Sequence, residues 1–86
     1  MNYRIKVTKQ FEKDFTKLKQ DLKEGIIKKV DLLKENPYKF KRLHGRLRGK
    51  YSLRIGDYRI VYSINEDEKE VILYCFGHRK KVYKKK

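Results

Sequence analysis

Two arginines on neighbouring strands of a predicted hairpin are the residues of this 86-residue chain best placed to do chemistry. Residues 50–62, KYSLRIGDYRIVY, form two short strands joined by the two-residue turn Gly56-Asp57. In such a hairpin Arg54 lies opposite Arg59 on one face, where like charges destabilise a sheet. Guanidinium groups bind phosphoryl oxygens through paired hydrogen bonds, so the pair predicts a phosphate site. The alternative is that both side chains are solvated and bind nothing.

The order of the strands predicts which other groups join this pair. The strand after Tyr58 runs away from the turn and the strand from Val71 returns, so the segment GHRKKVY ends beside the arginines. We therefore expect the pair to be joined by Arg79 and Tyr83, with His78 as a further candidate. Basic residues of the preceding connection are expected to reach the rim and contact RNA: Arg46, Arg48 and Lys50.

The chemistry follows from the residue types that the predicted corner lacks. A two-metal nuclease needs carboxylates to hold its ions, and neither flanking segment supplies one, so no metal or other cofactor is expected. RNA carries its own nucleophile, the 2′-hydroxyl, and needs a base, an acid and stabilisation of the phosphorane. Neighbouring cations should lower the pKa of Tyr83 and make it a base. His78 is the other candidate proton carrier, or a surface residue that orients phosphate.

The distribution of charge favours a nucleic-acid partner. The net charge is +14, and the segments 36–56 and 71–86 hold seven and six basic residues without an acidic one. Such a one-sided field attracts polyanions, and the positive segments do not read as an amphipathic membrane helix. No apolar run reaches the length of a membrane span, and the N-terminus lacks a secretory signal, so we expect a cytoplasmic protein. The single cysteine, Cys75, is expected to be buried.

Periodicity predicts one α+β domain spanning residues 1–86, in the order β-α-α-β-β-β. A first strand covers residues 2–7, Thr8 caps a helix, and Asp21 with Glu24 resembles a capping box that starts a second helix. Asn36-Pro37 ends that helix. The two helices should form an antiparallel hairpin on one face of a mainly antiparallel sheet. Two leucines of the basic connection are expected to pin it to the body of the domain: Leu43 and Leu47.

The chain resembles the RelE/ParE superfamily of bacterial and archaeal toxins, and RelE more closely than ParE. The resemblance rests on FEKDFTKL, on NPYKFKRLHGRLRGKYSLRIGDYRIVY and on GHRKKVY, and it covers nearly the whole chain. It implies a sheet flanked by a helical hairpin and cleavage of messenger RNA in the ribosomal A site. It also implies neutralisation by a RelB-type antitoxin in a toxin–antitoxin hetero-oligomer, and the +14 charge predicts that the partner segment is acidic.

The resemblance also implies roles for individual residues. Arg59 matches the arginine that stabilises the phosphate, Arg79 the arginine of the leaving group or transition state, and Tyr83 the proposed base. Arg54 stands where the best-studied branch has a lysine. Ser52, a further candidate RNA contact, stands where that branch has a second lysine, so the departure puts the identity of the base and the reaction rate in question.

Two other functions are compatible with the same sequence. A ParE-like toxin on this fold would poison DNA gyrase and would not cleave RNA. A non-catalytic RNA-binding protein would expose aromatic residues on its sheet for base stacking. Tyr51, Tyr58 and Tyr62 instead share the face that is predicted to meet the helices.

Overall fold

The computed structural model describes residues 2–78, and the predicted site residues Arg79 and Tyr83 lie outside this range. Its elements, in chain order, are β1 (Arg4–Val7), α1 (Lys9–Thr16), α2 (Gln20–Glu35), β2 (Lys41–Arg42), β3 (Tyr51–Ile55), β4 (Tyr58–Asn65) and β5 (Glu70–His78). The sheet order is β1-β5-β4-β3-β2, with β1 parallel to β5 and the other pairs antiparallel. The predicted α+β fold is confirmed, with β2 as an additional strand.

The main core lies between the two helices and one face of the sheet. Leu33 of α2 and Ile60 and Tyr62 of β4 are fully buried there. Tyr51 and Tyr58 pack against the same cluster, as the alternation of the strands predicted. The Tyr62 hydroxyl donates a hydrogen bond to the Pro37 carbonyl oxygen at 2.6 Å, which ties β4 to the end of α2. No helix within residues 2–78 is long and apolar enough to cross a membrane.

The helical hairpin begins as predicted but turns earlier than predicted. The Thr8 side chain accepts a hydrogen bond from the Phe11 amide and donates one to the Tyr74 carbonyl, so this residue both caps α1 and fixes it to β5. The predicted capping box is wrong, because α2 starts at Gln20 after Lys19, which makes no side-chain cap. The Glu24 carboxylate instead accepts a hydrogen bond from the Gln20 side chain.

A second, smaller apolar cluster lies on the opposite face of the sheet. Leu43 and Val61 are buried in it, and Leu47 and Cys75 pack against them. The connection between α2 and β3 is therefore held down by its two leucines, which confirms their predicted role. The connection that this cluster holds down carries exposed basic side chains, among them Lys41, Arg46 and Arg48.

A carboxylate fastens the acidic turn after β4 to the rest of the domain. Glu66 accepts hydrogen bonds from the hydroxyls of Tyr3 and Tyr38 and from the ammonium group of Lys69. These donors, led by Lys69, lower the pKa of Glu66 to about 2, because each of them stabilises the charged form. The hydrogen bond to Glu66 also raises the pKa of Tyr38, since a phenolate beside a carboxylate is disfavoured.

The Glu66 cluster predicts a loss of stability in acid. Because folding lowers this pKa from its ordinary value of 4.5 to about 2, the stabilisation is complete above pH 4.5 and disappears as the pH falls towards 2. Urea midpoints measured across that interval should therefore fall more for the wild type than for Glu66→Gln. Asp67→Asn, which removes the neighbouring charge of the same turn, should keep the wild-type dependence. Parallel curves for the wild type and Glu66→Gln would contradict the assignment.

Candidate phosphate-binding site

The β3–β4 hairpin brings the two arginines together in the predicted register. Arg54 pairs with Arg59, and Ile55 pairs with Tyr58 across the turn. Gly56 has a φ of 59°, a conformation that glycine adopts without the steric cost of a Cβ atom. Because directly opposed residues of an antiparallel pair share a face, both guanidinium groups rise from the face opposite the helices.

The two arginines differ in how firmly they are held. Arg54 is exposed, and its Nε donates a hydrogen bond to the Gly56 carbonyl at 2.9 Å, which leans the side chain over the turn. Arg59 is half-buried and its Nε is enclosed by the protein. Gly77 of β5 is the register partner of Arg59 on its other side, so no side chain rises from that position. The pair therefore combines one embedded and one accessible cation.

Several carboxylates of the described residues form ion pairs outside the β3–β4 hairpin. Glu70 of β5 is buried and contacts Arg4 and Lys6 of β1, with N–O distances of 3.3 Å for both. The remaining ion pairs within residues 2–78 join Arg4 to Glu68, Lys34 to Asp31 and Lys69 to Glu66. None of these pairs involves Arg54, so its charge is available to an external anion. Within that range no three histidine, cysteine or acidic side chains are grouped to hold a metal ion.

Two predicted RNA contacts, Ser52 and Lys50, lie on the face of the arginine pair, but neither adds an accessible charge next to it. Ser52 is only 2% exposed, so its hydroxyl is not accessible to RNA in this structure. Lys50 precedes β3 at the end of the strand away from the turn, and its ammonium group lies 4.8 Å from the centre of the Tyr74 ring. Lys50 thus adds charge farther along the face and is not brought to the corner.

His78 lies on the other face of the sheet, and its expected convergence on the arginines is wrong. It pairs with Tyr58, whose ring packs in the main core, and the two rings meet edge to face at 5.9 Å. The register between β4 and β5 shifts at Tyr74, because Val61 pairs with Cys75 whereas Tyr62 pairs with Leu73. One extra residue reverses the alternation of the strand and turns His78 towards the helices.

The basic connection contributes exposed charge and one residue that sequence reasoning missed. Arg46 and Arg48 are exposed in and after the short 3-10 turn at Gly45–Leu47. Lys41 is exposed in β2, where it pairs with Ser52. A two-residue strand has no periodicity of its own, so only its pairing with β3 reveals that Lys41 belongs to the face of the arginines.

Comparisons with known proteins agree with this architecture. A family model described as the ParE toxin of the type II toxin–antitoxin system parDE matches residues 5–83. The proposed toxin RelE4 of Methanocaldococcus jannaschii is 32% identical over 88 residues, covering 98% of this chain and 94% of that protein. A chain of the archaeal RelE–RelB complex from Pyrococcus horikoshii superposes with a TM-score of 0.76 at 31% identity, covering 92% of this chain and 97% of the other. The RelBE2 toxin–antitoxin complex of Mycobacterium tuberculosis gives 0.84 at 26% identity, with coverage of 92% and 100%.

Proposed function

This chain belongs to the RelE/ParE superfamily of type II toxins, and from that premise we propose that it is a ribosome-dependent endoribonuclease. Its substrate is messenger RNA in the ribosomal A site. The observation that carries the proposal is the register pairing of Arg54 with Arg59 on the face away from the helices. A small domain opposes two fixed cations at a cost in stability, and a bound phosphodiester relieves that cost.

The proposed reaction needs no metal ion. The 2′-hydroxyl of the RNA loses its proton to a base and attacks the adjacent phosphorus, which forms a 2′,3′-cyclic phosphate. The bond to the 5′-oxygen breaks, and that oxygen takes up a proton. Arg54 and Arg59 stabilise the charge on the phosphorane oxygens. By resemblance, Tyr83 is the base, and Arg79 serves the leaving group or the transition-state charge.

Mapping of 5′ ends tests this proposal directly. The protein is added to a translation reaction with a message that is translated and with the same message lacking its start codon. Cuts in phase with the codons, found only in the translated message, support the proposal. Equal cutting of both messages would make the nuclease independent of the ribosome, and intact messages would exclude the nuclease.

A gyrase poison is the second candidate, because the matching family model is described as a ParE toxin. Expression of the protein in cells distinguishes the two candidates, since double-strand breaks in DNA with intact messages would support the gyrase poison. A stacking platform for single-stranded RNA is disfavoured, because Tyr51, Tyr58 and Tyr62 pack in or against the main core and are not displayed for base stacking.

The proposed toxin acts in the cytoplasm and is neutralised there by an acidic antitoxin of the RelB type. The +14 net charge favours an acidic partner. An apolar groove of about 280 Å³ between β1 and the helices offers a place for an apolar segment of that partner. Val7 and Ile27, which line the groove, are 42% and 55% exposed, so their burial would add to affinity. The solved RelE–RelB complexes of similar chains support this partner class.

A further inference from the structure

The two-residue strand β2 places a lysine beside the arginine pair. Lys41 pairs with Ser52, and directly opposed residues share a face. Arg54 lies two residues beyond Ser52 on β3, so it also points to that face. Lys41, Arg54 and Arg59 therefore rise from the same side of the sheet, on two adjacent rows of its pleat.

The geometry of the sheet brings the Lys41 side chain within reach of the corner. Diagonal neighbours on adjacent strands lie roughly 7–8 Å apart, a separation that long side chains bridge. Lys41 is exposed and forms no ion pair with any residue from 2 to 78. Its partner Ser52 is buried and uncharged, so Lys41 supplies the accessible charge of the row that the two residues form.

The other described basic residues of the connection lack this placement. Arg42 pairs with Tyr51 and therefore points to the helical side of the sheet. Lys50 lies over the Tyr74 ring, at the far end of β3. Lys39, Arg46 and Arg48 belong to the two short 3-10 turns or their ends and have no partner in the strand ladder. Lys41 is the one whose relation to the arginine pair is fixed by strand register.

We infer that Lys41 binds the RNA phosphate next to the one held by Arg54 and Arg59. This inference rests on the proposed function. Lys41 lies one row from the arginine pair along the strand, so a strand of RNA crossing the face presents a neighbouring phosphate to it. A lysine ammonium is a compact point charge that suits a single phosphate oxygen, whereas the arginine forks suit the group whose charge changes. Lys41 thus fixes the register of the message and takes no part in proton transfer.

Single-turnover cleavage of a message on stalled ribosomes measures this role. Lys41→Ala should raise the protein concentration that gives the half-maximal rate about tenfold and leave the saturating rate within twofold. It should also reduce the slope of log affinity against log salt by about one, the value expected for one lost phosphate contact. Lys41→Arg should restore binding to within about threefold. Arg42→Ala, which removes one charge from the adjacent residue on the other face, should match the wild type.

A message with a single neutral methylphosphonate linkage identifies the phosphate. The linkage is placed on one side of the scissile phosphate and then on the other. At one of these positions the linkage should raise the protein concentration that gives the half-maximal rate about tenfold for the wild type. The same linkage should not raise that concentration further for Lys41→Ala. Circular dichroism spectra and melting curves of each variant check whether the exposed substitutions leave the fold intact.

The outcomes separate this inference from the proposed function. If the linkage and Lys41→Ala weaken binding independently of each other at both positions, Lys41 contacts ribosomal RNA or no RNA. That result would overturn the assignment. A half-saturating concentration for Lys41→Ala equal to that of the wild type would also overturn the assignment. In that case cleavage by the wild type would still support the proposed nuclease. Failure of the wild type itself to cut would overturn the proposed function, and the role of Lys41 with it.

Discussion

Replacing Arg59 with alanine is expected to reduce cleavage of translated messages by at least 100-fold. Arg59 is half-buried, with Gly77 on one side and Arg54 on the other, so its guanidinium is held in place before substrate arrives. Removing one such preorganised donor typically lowers the rate of the chemical step by roughly 10²–10³-fold. The loss should appear in the saturating rate, because the charge that Arg59 meets grows in the transition state.

Two further variants isolate the cause of that loss. Arg59→Lys keeps the charge but removes the planar fork, so its rate should fall between those of the wild type and Arg59→Ala. Arg42→Ala removes the same charge from the helical side of the sheet and should cut at the wild-type rate. The melting temperature of Arg59→Ala should stay near or above that of the wild type, since the opposed cations are relieved. Normal cutting by a folded Arg59→Ala protein would show that the arginine pair is not the site.

The hairpin was predictable from the sequence because local signals set its register. A two-residue turn with glycine at a positive φ fixes which residues oppose each other, and alternation then assigns every side chain to a face. This alternation places Tyr58 and Ile60 on the face of the helices and Arg59 on the opposite face. The same reasoning extends along β4 as far as Tyr62, where both the turn and the apolar pattern agree.

The position of His78 could not be predicted, because a bulge leaves no signature in an apolar strand. Residues 71–76 are apolar on both faces, so an extra residue at Tyr74 does not disturb the pattern. Without the bulge, His78 would share the face of Arg59, and with it His78 contacts Tyr58. The single shift therefore removes His78 from the arginine corner and places Gly77 beside Arg59 instead.

Strand β2 and the start of α2 escaped prediction for a related reason. Lys41 and Arg42 are both charged, and strand pairing with β3 overrides a composition that favours a solvated loop. At the start of α2, Asp21 and Glu24 have the spacing of a capping box, but Leu18 packs against the core and the chain turns before them. Contacts distant in sequence decided both boundaries, and they decide which cations share the candidate site.

The site faces away from the helices, so its geometry depends on a core that it does not touch. Arg54 and Arg59 alternate with Leu53 and Ile60, whose side chains are buried against the helical hairpin. Any loss of that packing should lower activity in proportion to the unfolded fraction without changing the residues that are proposed to bind RNA. A core substitution thus tests the effect of stability while the arginine pair stays unchanged.

Leu33→Ala is expected to lower the free energy of unfolding by about 2–5 kcal/mol, the usual cost of deleting a fully buried leucine side chain. Leu33 of α2 is 0% exposed in the main core. A domain of this size has a total stability of roughly 4–13 kcal/mol, so the variant should be partly unfolded near its working temperature. Urea denaturation followed by circular dichroism should show a lower midpoint with an unchanged slope.

Leu32→Ala is the matched control, because Leu32 is the preceding residue of the same helix and is 41% exposed. Its cost should stay below about 1 kcal/mol, since alanine is the better helix former and little apolar surface is returned to water. Folded Leu33→Ala protein, counted by its circular dichroism signal, should retain the wild-type cleavage rate per folded molecule. Equal destabilisation by both substitutions would show that α2 does not present Leu33 to the sheet. A lower rate per folded molecule would show that the helical hairpin controls the arginine pair directly.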